Sequence, residues 1–178
     1  EPPSPTILPQ GEQTKNIKKG PSGNFEAAFS SDGRKMAIVL EQDQGADIFV
    51  SIWDGRVWSS PEPLIGVNSK FNERGPAFSL SGDKLFFSSD RDGGRGGYDI
   101  YETSFDGEKW GSVLPLGPTV NTSSNETGPA PSMDESGLYF SSDREGNSDQ
   151  DIYYAKRGDS DPNEESKFQE SIAVDDLN

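Results

Sequence analysis

The chain has 178 residues, a formal net charge of −15, and neither His nor Cys. Such a surface repels a phosphate backbone, so nucleic acid is not an expected partner. The missing residue types also exclude Ser-His-Asp and Cys-His catalysis, thiolate chemistry and conventional zinc sites.

Ten Phe, five Tyr, three Trp, 20 Gly and 13 Pro in a chain only 30% hydrophobic suit short strands joined by tight turns. No stretch sustains helical spacing of Ala, Leu, Glu and Lys, and the chain reads as all-β. No apolar run approaches the roughly 20 residues that cross a bilayer as a helix, and the N-terminus has no signal-like core. The first residue is Glu1 rather than Met, which points to a chain beginning within a longer protein.

Residues 1–23 hold Pro2, Pro3, Pro5, Pro9 and Pro21 with few apolar anchors, the pattern of an extended linker able to add one strand. From there the chain repeats. Pro76 to Arg91 aligns without a gap on Pro129 to Arg144, an offset of 53, and the quartet Ser-Ser-Asp-Arg recurs whole. A more diverged copy, Ala28 to Ile38, matches Ala77 to Phe87 at an offset of 49 and lacks that quartet. Each copy continues into Asp-Ile-aromatic, at Asp47-Ile48-Phe49, Asp99-Ile100-Tyr101 and Asp151-Ile152-Tyr153. Each closes on an apolar residue followed by Asn, at Val67-Asn68, Val120-Asn121 and Leu177-Asn178. The units are therefore residues 24–68, 69–121 and 122–178, the last with a polar, acidic hairpin loop at 157–167.

Within the second unit, Ala77-Phe78-Ser79 is a strand, Ser81-Gly82-Asp83 a turn, and Leu85-Phe86-Phe87 the antiparallel return. A Gly-rich reversal at Asp92 to Gly97 leads to a third strand, Tyr98 to Ser104. Asp106-Gly107 gives a two-residue hairpin signal before a fourth strand through Trp110 to Leu116. Four strands in about 50 residues is the size of one propeller blade, with a stacked β-solenoid as the arithmetical alternative.

The pattern Phe78-Ser79-x-x-Gly82-x-x-Leu85-x-Phe87-Ser88-Ser89-Asp90-Arg91, then Gly93-Gly94-x-Gly96-Gly97-Tyr98-Asp99-Ile100-Tyr101, resembles the WD-like repeats of TolB-type bacterial propellers. It also resembles periplasmic proteins that couple such repeats to peptidoglycan-binding, OmpA-like domains. The resemblance spans residues 24–178 and implies three four-stranded antiparallel blades of a partial β-propeller. It further implies a periplasmic or outer-membrane-associated location in a bacterium. The turns depart from the pattern at Leu80-Ser81, and at Glu135-Ser136, where a turn Gly is expected.

Among polar candidates, the Glu of Asn-Glu-x-Gly-Pro recurs as Glu73 and Glu126, with Glu26 a looser equivalent. Lying before each unit's first strand, these carboxylates are candidates for a ring at a channel mouth that attracts a cationic ligand. The competing role is a charge-assisted pair with Arg91 or Arg144 of a neighbouring blade. Asp90 and Asp143, of the same quartets, and Trp58 and Trp110, at matching positions, are assigned to inter-blade structure. Asp143, Glu145, Asn147, Asp149 and Asp151 present oxygens at alternating positions, as calcium requires. Ser148 stands where an EF-hand turn needs Gly, so a solvated acidic loop is the competing reading and no other cofactor is expected. The glycines at 93–97 lack the Lys-Ser/Thr of a phosphate loop. The function expected is non-enzymatic binding of a protein or cell-envelope partner. The alternative is part of a carbohydrate-active propeller using carboxylates alone. Three blades leave sheet faces open, so further blades from the same chain or a second copy are expected to cover them.

Overall fold

The structure, a computed structural model, describes residues 26–43, 45–144, 149–158 and 168–174. The linker at 1–23 and most of the acidic loop lie outside the described residues. Every regular element described is a strand. Blade 1 consists of β1 (Ala27–Phe29), β2 (Lys35–Gln42), β3 (Gly45–Ile52) and β4 (Glu62–Pro63). Blade 2 has β5 (Glu73–Phe78), β6 (Lys84–Ser89), β7 (Asp99–Ser104) and β8 (Leu114–Pro115). Blade 3 has β9 (Glu126–Pro131), β10 (Gly137–Ser142), β11 (Asp151–Arg157) and β12 (Phe168–Ala173). Each blade is one antiparallel sheet with its strands in chain order, the three-blade architecture expected.

The β6 segment Leu85-Phe86-Phe87 does not alternate apolar with polar because both faces of its sheet are covered. Leu85, Phe87 and Tyr101 join Ala37, Val39, Ile48 and Val50 in a core between blades 1 and 2. Phe86 and Ile100 point the other way and join Leu138, Phe140, Tyr153 and Ala155 between blades 2 and 3. Burying each such side chain stabilises the fold by about 1.5–3 kcal/mol, so the core lies between sheets rather than within one.

The inner strands β5 and β9 each carry an irregularity in register, between Arg74 and Ala77 and opposite Tyr139–Ser141. Gly-Pro sits at both places. Gly75 and Gly128 adopt φ of 57° and 58°, which L side chains resist, and proline has no N–H to lose from the ladder. The outer strands β4 and β8 are only two residues long because Pro61, Pro63 and Pro115 lack the donors a longer ladder needs. The expected fourth strand is thus reduced to that pair and an isolated Phe105–Trp110 bridge. The expected two-residue hairpin at Asp106-Gly107 is a wider loop. Asp106 Oδ1 accepts from the N–H groups of Glu108 and Lys109, an arrangement a two-residue turn has no room for.

Candidate functional site

The recurring polar residues converge on the seams between blades. In blade 2, Glu73 on β5 is enclosed, at 0% exposure. Its carboxylate accepts from Ser69 N and Oγ at 3.0 and 2.6 Å, from Ser89 Oγ at 3.1 Å and from Arg91 Nη2 at 2.9 Å. Arg91 Nη2 also donates to Val67 O, at the close of the preceding unit. Its guanidinium lies 5.1 Å from the Phe87 ring and 4.9 Å from the Tyr101 ring. Blade 3 repeats the set. Glu126, also at 0% exposure, accepts from Thr122, Ser142 and Arg144, while Arg144 reaches Val120 O and sits over Phe140 and Tyr153.

Glu73 and Glu126 therefore offer no surface to a channel. Their ion pairs with Arg91 and Arg144 run inside one blade, not between neighbours, since β5 and β6 are adjacent strands. The link across blades is the arginine bond to the preceding unit's carbonyl. Asp90 and Asp143 each bind one asparagine twice: Asp90 accepts from Asn72 N and Nδ2, and Asp143 from Asn125 N and Nδ2. These bonds hold the Asp143 carboxyl below the usual carboxylate value. The bound asparagines reach back a blade, Asn72 Oδ1 accepting from Ala46 N and Asn125 Oδ1 from Tyr98 N.

Sequence reasoning noted these asparagines only as marks of the repeat and gave them no role, as with Asn68 and Asn121, whose amides pair with both backbone groups of Ile48 and Ile100. Their signal was the recurrence of Asn in each unit. Glu135 was read only as a missing turn Gly. It adopts φ 56°, as Gly33 and Gly82 do at 66° and 69°, and its carboxylate accepts from Ser81 N and Oγ of blade 2. Asp47 on β3 faces Glu73 across the first seam. Burial, then the Glu73 charge and a hydrogen bond shared with it, raise the Asp47 carboxyl above its ordinary value.

Trp58 makes ring contacts with Phe29 and Trp53 of its own blade. Trp110 does so with Phe105 and Phe78 of its own blade, while also abutting the core shared with blade 1. Of the oxygen series, Glu145 and Asn147 lie outside the described residues, Asp149 is exposed and Asp151 half-buried. The glycine loop is a packed seam rather than a free reversal. Asp99 Oδ2 accepts from Arg95 N and Gly96 N, and Gly97 N donates to Ser124 O of the next blade.

The recess beside the inner strands combines the recurring Gly75, Gly128 and Ser88 with Arg74, Tyr98 and Thr127, which differ between units. A cleft of about 480 Å³ is bounded by Glu26, Arg74, Gly75, Ser88, Tyr98, Thr127 and Gly128. Glu26 is thus the one channel-mouth candidate that borders open space. Arg74 pairs with Glu26 at 3.2 Å and Glu41 at 2.6 Å. Burial works against its charge, but the bonds and charges of Glu41 and Glu26 outweigh that and raise its pKa. Burial, then the nearby Asp90 charge, raises the Tyr98 phenol. The buried carboxylates Glu73, Asp99, Glu102 and Glu126 are all at 3% exposure or less.

No family model and no curated protein sequence matches the chain. Among solved structures, it is similar to that of TolB from Agrobacterium tumefaciens, at 21% identity and a TM-score of 0.56, over 74% of this chain and 44% of that one. It is similar also to TolB from Acinetobacter baumannii, at 18% identity and a TM-score of 0.51, over 76% of this chain and 30% of that one. The chain spans less than half the length of either. At these identities the likeness establishes the fold, a TolB-like β-propeller in part.

Proposed function

We propose that this chain is a non-enzymatic propeller scaffold that binds a protein or cell-envelope partner at the inner-strand cleft, in the periplasm or at the outer membrane of a bacterium. The observation that carries this reading is the division of labour among polar residues. The glutamate–arginine pairs that recur are enclosed or tied to fixed partners, while Arg74, Tyr98 and Thr127, which differ between units, line the cleft together with Glu26 and the recurring Ser88. A half-exposed arginine between two carboxylates, beside a phenol and a hydroxyl, offers donors and acceptors suited to a polypeptide segment. The structural likeness to two TolB proteins supports the scaffold reading by fold, and function by fold alone is analogy. The location follows from the same resemblance.

The carbohydrate-active alternative requires two accessible carboxylates facing one substrate. Glu26 and Glu41 both serve Arg74, and Glu73, Asp99, Glu102 and Glu126 are enclosed at 3% exposure or less, which supports the scaffold. Titration of the chain with solubilised bacterial envelope fractions, with a photocrosslinker at Thr127 or at Lys109, is the direct test. Saturable capture from position 127, weakened at least fivefold by Arg74→Glu, is expected. Hydrolysis of an oligosaccharide that is abolished by Glu26→Gln, without such capture, would overturn the reading in favour of the enzyme.

A further inference from the structure

Asp99, at the start of β7, is 1% exposed, and its two carboxylate oxygens are treated differently. Oδ2 accepts from the N–H groups of Arg95 and Gly96. Oδ1 is enclosed and has no hydrogen-bond partner among the described residues. On the same face of the strand, Tyr101 is 4% exposed, and its phenol oxygen is likewise enclosed and unpartnered. Nearly all buried polar groups in native proteins are paired, because an unmade bond costs its full desolvation. Two such oxygens mark a place for something that oxygen can coordinate.

The two groups line one gap. A Cβ on Gly94 would lie 3.1 Å from Asp99 Cγ and 3.1 Å from Tyr101 Oη. Gly94 is not among the glycines held at positive φ, unlike Gly93 at 90°, so its missing side chain serves that space rather than the turn. Burial, then the Asp99 charge, raises the Tyr101 phenol, which keeps it protonated and shows that the two groups feel each other. The loop above, from Asp92 to Gly97, is exposed and gives an ion a route in.

Charge decides what belongs there. Glu73 and Glu126 are equally enclosed and each has an arginine, whereas Asp99 forms no ion pair among the described residues. Water in the gap would bond both oxygens but leave the carboxylate's charge unbalanced away from solvent. One carboxylate balances one positive charge. A divalent ion would overshoot beside Tyr101, whose ring already lies 4.9 Å from the Arg91 guanidinium. Among the described residues, no three acidic side chains converge in the way such an ion draws on. The other blades lack the combination. Blade 1 has Phe49 in place of the phenol, and its Asp47 shares a hydrogen bond with Glu73, while in blade 3 Asp151 is only half-buried.

We propose that Asp99 Oδ1 and Tyr101 Oη hold a monovalent metal ion, with sodium as the probe, beneath the glycine loop of blade 2, water and main-chain oxygens completing its shell. The site stands apart from the inner cleft and does not depend on what that cleft binds. The test is urea denaturation of the full chain at neutral pH in sodium chloride and in tetramethylammonium chloride of equal ionic strength. Both salts screen the net charge of −15, but the organic cation is too bulky for an enclosed gap. At a sodium concentration about tenfold above the dissociation constant, the folded-to-unfolded ratio should be roughly tenfold higher than in the organic salt. Asp99→Asn keeps an acceptor for Arg95 and Gly96 but buries no charge. It should lose the difference between salts and be no less stable than the parent in tetramethylammonium chloride. Tyr101→Phe should shrink the difference, and Gly94→Ala, which fills the gap, should abolish it. Sodium NMR relaxation should report an exchanging bound ion in the parent and none in Asp99→Asn.

Three outcomes overturn the inference. One is an equal effect of the two salts on the parent, which would leave water in the gap. Another is a sodium dependence that survives in Asp99→Asn or in Gly94→Ala, placing the ion elsewhere. The third is a stronger stabilisation by calcium than by sodium at equal ionic strength, lost in Asp99→Asn, which would make the ion divalent.

Discussion

The Arg91 guanidinium lies against two aromatic rings, neutralises an enclosed carboxylate and reaches a carbonyl of the preceding unit. Removing it strands Glu73 without its ion-pair partner at 0% exposure, so Arg91→Ala should cost about 3–5 kcal/mol in urea denaturation. Arg91→Lys should cost less, since charge survives while the planar fork and stacking are lost. The exposed Arg34→Ala serves as the control, expected within about 0.5 kcal/mol of the parent. Glu135 separates backbone strain from bonding. A left-handed non-glycine residue costs roughly 1–2 kcal/mol, which its bonds to Ser81 offset. Glu135→Ala keeps the strain and loses the bonds, whereas Glu135→Gly loses both. The expected order of urea midpoints is therefore parent at or above Gly, and Gly above Ala.

At the level of elements, the loop from Asp92 to Gly97 and the short outer strands decide how blades meet and where pairing stops. A Cβ on Gly96 would lie 1.8 Å from Ser124 O, a backbone atom that cannot move aside without shifting blade 3. One on Gly93 would meet nothing within 4 Å, leaving only the penalty of its positive φ. Gly96→Ala should therefore destabilise by about 1–3 kcal/mol and expose the Gly97 amide to exchange. Gly93→Ala should cost about 1 kcal/mol and leave that amide protected. The hairpin turns set a second pattern. Asp32, Asp83 and Asp134 are each held below the usual carboxylate value, Asp134 to about 2, by side-chain bonds from Ser30, from Ser81 and Ser79, and from Ser132 and Ser136, together with local backbone amides.

These carboxylates and Asp47 act in opposite directions on the stability of the whole molecule. A depressed carboxylate contributes stability that is complete above its unfolded value of 3.8 and is lost as pH falls through its folded value, near 2 for Asp134. Asp47 is raised, so its charged form opposes folding at neutral pH, and stability is gained as pH falls through its folded value toward 3.8. With a net charge of −15, partial protonation also relieves self-repulsion. Urea midpoints measured across pH should therefore peak below neutrality and fall beneath about pH 3.8, and Asp47→Asn should flatten the rise between pH 7 and the peak. The sequence by itself determined the repeat, its period and the four-strand unit, because period and turn chemistry are local and each unit restates them. It also marked Glu73, Glu126, Arg91 and Arg144 as one set. Only the tertiary structure decided that the two glutamates are enclosed within their own blades, that Asn72 and Asn125 bridge to the blade before, that the glycine loop is a packed seam, and that Arg74 meets Glu26 and Glu41. Those facts depend on which strand faces which across neighbouring sheets, a relation between residues tens of positions apart that no local pattern encodes.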